Sequence, residues 1–205
     1  QEVQARLKVP RDWQVGTALP IARRSGSTIE FAPASFTTLV DSPVQLGRYF
    51  TRVVLDELHA VDIAADSPGA LAVPPETVTT WRQLVAEAGA LFGNRHYRRY
   101  EFLLTLSDDM EDFGLEHHES SDDRVPERAL LEKDLRPGVG GLLSHEFAHS
   151  WNGKYRRPVG LATKDYVTPM NDELLWVYEG LTEYLGIVLG ARSGAEDGEA
   201  LEATT

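Results

Sequence analysis

The segment SHEFAHSW, residues 144–151, constrains this chain most, because it places polar side chains within a stretch of core-like neighbours. An α-helix advances 3.6 residues per turn, so His145 and His149 project from one face, one turn apart. Two imidazole nitrogens held in this way can bind one tetrahedral ion. Glu146 is rotated from the histidines by about 100° on the helix, which places its carboxylate beside the ion as a general base. The alternative is a helix whose histidines are only hydrogen-bonded.

A catalytic zinc usually has three protein ligands and one open position, so two histidines require a third donor on another element. The segment LLWVYEGLTEY supplies Glu179 in an otherwise apolar stretch. A buried carboxylate there needs a strong partner, because an isolated buried charge is very costly. Glu183 lies one turn further along, where it can accept the outer N–H of a ligand histidine. A solvated acid on the helix face is an equally good interpretation of Glu183.

Composition limits the partners of the chain. The 205 residues include 32 acidic and 20 basic side chains, for a net charge of -12. This charge argues against nucleic acid or an anionic membrane as the main partner, because phosphate-binding surfaces need clustered Lys and Arg. The absence of cysteine excludes a disulfide framework and a thiolate metal site.

No apolar run reaches the roughly 20 residues that a membrane-spanning helix needs. The first residues show no signal-peptide pattern, so a cytoplasmic and a periplasmic or secreted location both stay open. Both ends of the chain resemble cut ends, and we expect a fragment of a longer protein.

Local patterns predict the secondary structure. Short alternating runs in residues 1–37 predict β-strands. Apolar residues at helical spacing in PPETVTTWRQLVAEAGALFGN, residues 74–94, predict a helix. The apolar run in RRYEFLLTLSDD, residues 98–109, predicts a buried strand.

Three further helices are predicted in the second half of the chain. One covers ERALLEKDL, residues 127–135. The motif helix runs from Pro137 to near Gly153, because Pro favours the first helical position and Gly follows the last. The last helix begins after a cap at Asn171 and ends at Gly194.

Several segments together resemble the glycyl aminopeptidase family of metallopeptidases, which are thermolysin-like gluzincins that generally carry a PDZ domain. These are HEFAHSWNGKYRRP and LLWVYEGLTEY, with 29 residues between His149 and Glu179, and also LVDSPVQLG and FGLEHHESS. VPRDWQVGTALP resembles the end of the N-terminal β-domain of that family. The resemblance covers most of residues 5–190.

The resemblance implies roles for particular residues. His145, His149 and Glu179 match the ligands of one Zn²⁺ ion, and Glu146 matches the general base. Glu116 in FGLEH matches a glutamate that receives the free amino group of the substrate. An ordinary acid in a very acidic turn region is the alternative for Glu116.

Two departures from the family pattern concern the substrate site. The segment DFGLEH contains one glycine, Gly114, whereas the family tends to have a second glycine in this segment. The difference affects how closely the backbone can approach the substrate. Related enzymes also use a tyrosine to stabilise the oxyanion, and Tyr166 and Tyr178 are the candidates near the site. His117 and His118 receive no role, since exposed histidines at a strand edge are common.

The resemblance predicts an α+β fold: a thermolysin-like catalytic domain with a small mixed sheet, FGLEH at its edge, packed on the two motif helices. We expect residues 1–38 to end an N-terminal β-domain and residues 39–205 to form the catalytic domain, truncated at its C-terminus and without the PDZ domain.

The predicted function is that of a zinc-dependent aminopeptidase, with a preference for small first residues such as glycine implied by the resemblance alone. Its partners would be peptide or protein substrates and other domains of the same protein. A zinc endopeptidase and a non-hydrolytic peptide-binding module stay open as alternatives. The complete HExxH motif argues against the module, since binding alone has no need of Glu146.

Overall fold

The computed structural model of the chain describes residues 1–165 and 167–195. Its first part consists of short antiparallel strands in three small sheets. These elements are β1 (Glu2–Val3), β2 (Arg6–Lys8), β3 (Gln14–Gly16), β4 (Ile21–Ser25), β5 (Thr28–Phe31), β6 (Ala34–Ser35), helix α1 (Phe36–Val40) and β7 (Gln45–Gly47). The prediction of β-structure in residues 1–37 is confirmed.

A small apolar cluster holds these sheets together. Its buried members are Val9, Leu19, Ile29 and Phe31. Strand β7 lies beyond residue 38 and pairs with β3. The domain boundary near residue 38 stays a prediction.

A five-stranded mixed sheet forms the centre of the fold. Its strands are β8 (Tyr49–Val54), β9 (His59–Ala65), β10 (Tyr100–Leu106), β11 (Phe113–Glu116) and β12 (Ser120–Val125). Their order is β11-β12-β10-β9-β8, so FGLE lies at one edge of the sheet. Strand β10 runs parallel to both of its neighbours and is buried along nearly its whole length, as its apolar run predicts.

Helix α2 (Pro75–Phe92) connects the parallel strands β9 and β10, and a short 3₁₀ helix (Pro68–Leu71) precedes it. Parallel neighbours need such a crossover, which is usually a helix. A proline opens α2, and Gly93 ends it in the left-handed conformation, with φ of 67°. The predicted helix is therefore confirmed, together with its start and stop signals.

Helices α3 (Arg136–His149), α4 (Leu175–Tyr178) and α5 (Gly180–Ser193) complete the fold, with a 3₁₀ turn at Val159–Leu161. Phe147 of α3 is fully buried and packs edge-on against Phe102 of β10. Helix α3 ends at His149 rather than near Gly153. The chain turns there through Gly153, which has φ of 152°.

The helix predicted for residues 127–135 is wrong, because this segment forms a series of turns. The Arg136 side chain donates to the backbone carbonyls of Leu130 at 2.9 Å and Leu131 at 3.3 Å. These are carbonyls that a continuing helix would bond to its own amides. A contact from outside the segment thus replaces the helical hydrogen bonds.

The last predicted helix is divided at Glu179 into α4 and α5. The side-chain amide of Asn152 donates to the carbonyl oxygen of Val177 at 2.7 Å. A side chain inserted into the hydrogen-bond ladder is a common cause of a sharp helix bend. The predicted stop at Gly194 is confirmed, but the cap of α4 is Leu174 rather than Asn171.

Within the described residues, no helix has the length and apolar character needed to cross a membrane.

Candidate metal centre

Helix α3 presents two histidines toward one point. The Nε2 atoms of His145 and His149 are 3.1 Å apart, and the ring planes are inclined by 79°. His149 is only 1% exposed. Helix α5 comes very close at Gly186, where a Cβ atom would lie 3.0 Å from the Cα atom of His145. The small residue therefore lets the second ligand-bearing segment reach the histidines.

Glu179 brings a carboxylate to the same point from the junction of α4 and α5. Its side chain is 51% exposed, so the expectation that this carboxylate is buried is wrong. Its Oε2 atom lies 3.2 Å from Nε2 of His149 and 3.7 Å from Nε2 of His145. Bonds of 2.0–2.1 Å to a tetrahedral zinc ion imply about 3.3 Å between neighbouring ligand atoms. The three observed separations bracket this value, so the donors fit a single zinc ion.

Each imidazole has a hydrogen-bond partner on its outer side. Nδ1 of His149 lies 3.1 Å from the carbonyl oxygen of Asn152, which can only accept, so Nδ1 carries the proton. Burial lowers the pKa of His149, which favours the neutral ring. Nδ1 of His145 lies 2.9 Å from Oε2 of Glu183 and donates to that carboxylate.

With Nδ1 donating outward, each inner Nε2 atom can offer a lone pair, and the two Nε2 atoms face each other and a carboxylate oxygen of Glu179. A cation at this point would satisfy all three acceptors at once. The outer partners of metal-bound histidines are usually carboxylates or backbone carbonyls, as they are here. The donor set, its spacing and its outer hydrogen bonds all fit a divalent metal.

Glu146 is buried beside the two histidines, with 5% of its surface exposed. Burial raises the pKa of Glu146 to about 9, and the negative charges of Asp123, Glu116 and Glu179 contribute in the same direction. A divalent cation at the neighbouring donors would favour the charged carboxylate. A cavity of about 430 Å³ opens between α3 and α5, with His145 and Glu146 in its wall.

Edge strand β11 passes directly over Glu146. A Cβ atom at Gly114 would collide with Oε1 of Glu146 and would lie 2.7 Å from Cδ1 of Leu142. Glycine is therefore required at this position for the strand and the carboxylate to come together. The structure places Gly114 in the same centre as the HExxH residues.

Glu116, at the end of β11, is held by a hydrogen bond from the hydroxyl group of Tyr178. Arg157 donates in turn to the Tyr178 oxygen at 3.2 Å. Burial alone would raise the pKa of Glu116, but the Tyr178 hydrogen bond and the charge of Lys154 hold it below its usual value. Glu116 is therefore a negatively charged group close to the donors, as an anchor for an ammonium group must be.

A second set of possible metal donors overlaps the first. Donor atoms of Glu116, Glu146 and His149 lie within 4.8 Å of one another. Sequence spacing does not reveal this set, because only the fold brings β11 against α3. The hydrogen bond from Tyr178 to Glu116 favours the set formed by the two histidines and Glu179.

The remaining predicted site residues lie in different environments. Tyr166 falls outside the described residues. The Tyr178 hydroxyl donates to the Glu116 carboxylate. His118 binds Asp41 through its backbone N–H and Nδ1, at 2.8 Å and 2.6 Å. His117 is buried rather than exposed.

Two adjoining helices that carry the candidate metal donors lie beneath the edge strand of a mixed sheet, which defines an α+β fold. Comparison with known families is more specific. A model described as M61 glycyl aminopeptidase matches residues 139–204, and the Peptidase M61 N-terminal domain matches residues 1–48. The chain belongs to the M61 glycyl aminopeptidase family. No curated protein matches the sequence at a significant level.

Solved structures share the fold. An aminopeptidase N family protein from Idiomarina loihiensis superposes with a TM-score of 0.74 at 22% identity, over 97% of this chain and 35% of that protein. Native leukotriene A4 hydrolase from Saccharomyces cerevisiae gives 0.58 at 15% identity, over 98% of this chain and 28% of that one. The yeast enzyme in complex with bestatin gives 0.58 at 17% identity, over 92% and 27%. The chain thus spans about a third of their length.

Proposed function

We propose that this chain carries the catalytic part of a zinc-dependent aminopeptidase built on the thermolysin-like plan. The observation that carries the proposal is the convergence of three metal-binding acceptors from α3 and the α4–α5 junction. They are the Nε2 atoms of His145 and His149 and Oε2 of Glu179, 3.1–3.7 Å apart. Two imidazoles and one carboxylate are a common ligand set of catalytic zinc.

Zinc in such a site acts as a Lewis acid that lowers the pKa of a coordinated water molecule and polarises the substrate carbonyl. Glu146 takes a proton from the water that attacks the scissile carbonyl carbon. The same carboxyl group then delivers this proton to the leaving amine as the C–N bond breaks. Its burial beside the histidines supports this role.

Glu116 would bind the free α-ammonium group of the substrate. Its low pKa keeps the carboxylate charged, and Tyr178 fixes one of its oxygens. Among the described strands, β11 pairs only with β12, so its outer edge would bind the substrate backbone by strand addition. Gly114 would let this backbone approach Glu146.

The preference for a small first residue, such as glycine, follows from the family and belongs to the proposal. So do the division of the chain at residue 38, the further domains of a longer protein, and peptides or proteins as substrates. The position of Tyr178 on Glu116 leaves the oxyanion donor unassigned among the described residues.

The central experiment replaces the general base. We expect Glu146→Gln to reduce hydrolysis of a chromogenic glycyl or alanyl substrate by at least about a hundredfold, the usual contribution of a general base. The variant should retain one equivalent of zinc by emission spectroscopy. Glu57→Gln, an exposed acid on another part of the surface, is the matched control. Wild-type turnover by Glu146→Gln would refute the proposed mechanism.

A second measurement separates the aminopeptidase from the endopeptidase alternative. Peptides with free and with acetylated amino termini are compared for wild type and Glu116→Gln. An aminopeptidase loses activity when either the ammonium group or Glu116 is removed, and it loses little more when both are absent. Equal hydrolysis of free and acetylated peptides would favour an endopeptidase.

A further inference from the structure

Asn152 contacts both segments that carry the candidate metal ligands. It lies in the turn that follows α3, three residues after His149. Its backbone carbonyl accepts from Nδ1 of His149 at 3.1 Å. This bond fixes the tautomer and the ring orientation that direct Nε2 toward the metal position.

The side chain of Asn152 reaches the other segment. Its amide donates to the carbonyl of Val177 at 2.7 Å and to Oγ1 of Thr182 at 3.0 Å. These two acceptors flank Glu179 along the chain. The amide thus binds the chain at the junction of α4 and α5. Glu179 lies at this junction, and its carboxylate faces the histidines.

Two neighbouring residues hold this arrangement in place. Thr182 is fully buried, and its hydroxyl donates to the carbonyl of Tyr178 at 2.7 Å. Gly153 has φ of 152°, and a Cβ atom there would lie 3.1 Å from Nδ1 of His149. The turn therefore needs glycine to bring the Asn152 carbonyl back onto the histidine.

We propose that Asn152 is a positioning residue that holds His149 and Glu179 at the separation a single metal ion requires. The histidine and the glutamate lie on different elements and are far apart in sequence. Asn152 joins them through one peptide carbonyl and one side-chain amide. This inference rests on the proposed zinc site and adds to it a residue that does not itself bind the ion.

The test is the zinc affinity of the metal-free chain, measured by competition with a chromophoric chelator. Asn152→Ala keeps the backbone carbonyl and removes the amide. We expect it to weaken zinc binding roughly 10- to 100-fold, as loss of a group that orients a ligand does. Asn171→Ala is the matched control, because the Asn171 side chain accepts only a local bond from the backbone N–H of Glu173, at 3.0 Å, in the turn before α4. It should bind zinc within about twofold of wild type.

A double-mutant cycle distinguishes positioning from a general loss of structure. If Asn152 acts through Glu179, Asn152→Ala should change zinc affinity by no more than about twofold in a Glu179→Ala background. An equal loss in both backgrounds, or none in either, would overturn the inference alone. Wild-type affinity in Glu179→Ala itself would overturn the proposed ligand set and the inference with it.

Thr182→Val provides a second variant in case Asn152→Ala does not fold, as judged by far-UV circular dichroism. It preserves the side-chain volume and removes the hydroxyl that accepts from Asn152. We expect weaker zinc binding than in wild type, again only when Glu179 is present. Unchanged affinity in Thr182→Val would contradict the proposal.

Discussion

Buried carboxylates lie on both faces of the central sheet, and they have different partners on each. On the face away from α3, Asp62 and Glu101 are almost fully buried. Arg52 binds both, at 2.7 Å and 2.8 Å, and Arg99 also contacts Glu101. On the face toward α3, Asp123 is fully buried with Ser121 as its hydrogen-bond donor, at 2.6 Å.

The partners account for the different properties of the two acids. Burial raises the pKa of Asp62 to about 6, with the charges of Arg52 and Arg99 opposing the rise. Burial raises the pKa of Asp123 to about 8, and among the described residues no cation opposes it. The guanidinium groups make the first face a self-contained ionic cluster. On the second face, Asp123 acts on Glu146 beside the proposed zinc site, where a divalent cation is the expected partner.

The largest expected effect comes from supplying that cation. If the proposed site binds zinc in the folded state alone, a free zinc concentration of about 1,000 times Kd should stabilise the folded chain by roughly 4 kcal/mol. For a chain of this size the melting temperature should rise by about 10 °C. Differential scanning calorimetry measures the change. His149→Ala should show little of this shift, and an equal rise there would place the binding elsewhere.

Removing the internal cation from the opposite face should have the next largest effect. Arg52→Met leaves Asp62 buried without its nearest partner, and breaking a buried ion pair in this way costs about 3 kcal/mol. Urea unfolding at neutral pH measures the loss. The exposed Arg48, which pairs with the exposed Asp12, is the control. Arg48→Met should change stability by less than about 0.5 kcal/mol, and equal losses would contradict the comparison.

The third prediction concerns pH and the acid without a cation. The folded chain binds the Asp123 proton more tightly than the unfolded chain, because its pKa is about 8 instead of the ordinary 3.8. This contribution to stability is complete at pH values below about 4 and is lost as the pH rises through about 8. Between pH 6 and pH 8 the loss is about 2 kcal/mol.

Asp123→Asn mimics the protonated acid and should lack this component. Glu146 and Asp62 titrate in both proteins, so the difference between the two stability profiles reports Asp123 together with its effect on the neighbouring Glu146. The profiles are obtained from chemical unfolding at several pH values. Parallel curves across this range would show that Asp123 is ionised in the folded protein.

The smallest expected effect concerns the outer partner of His145. Glu183→Gln keeps the shape of the side chain but removes its charge, and the side chain is 63% exposed. We expect zinc affinity to fall about tenfold, the lower end of the range for such partners. Glu173→Gln, on an exposed turn before α4, is the control for loss of one negative charge. Equal losses of zinc affinity in both variants would show that Glu183 acts only through its negative charge and not through its hydrogen bond to His145.

Local sequence patterns predict the parts of the fold that depend on local physics. The prolines, the helical spacing and Gly93 identify α2, and the HExxH spacing brings His145 and His149 together. Glu179 is recognisable because it interrupts an apolar run. The position of Glu116 near these donors is expected only from the family resemblance.

The features that the sequence does not predict depend on contacts between distant segments. The turns at residues 127–135 follow from the bonds that Arg136 makes to two carbonyls. The break at Glu179 accompanies the amide of Asn152, and no spacing rule connects those two positions. The ionic cluster of Arg52, Asp62 and Glu101 requires three paired strands in register.

Gly186 shows how a residue without a functional group can control this centre. Its Cα position brings the main chain of α5 within van der Waals reach of the His145 backbone. Any larger residue would have to push the two helices apart, and the histidines would move with their helix. We therefore expect substitutions at position 186 to impair function as much as substitutions of the proposed metal ligands, although glycine has no side chain that could bind an ion.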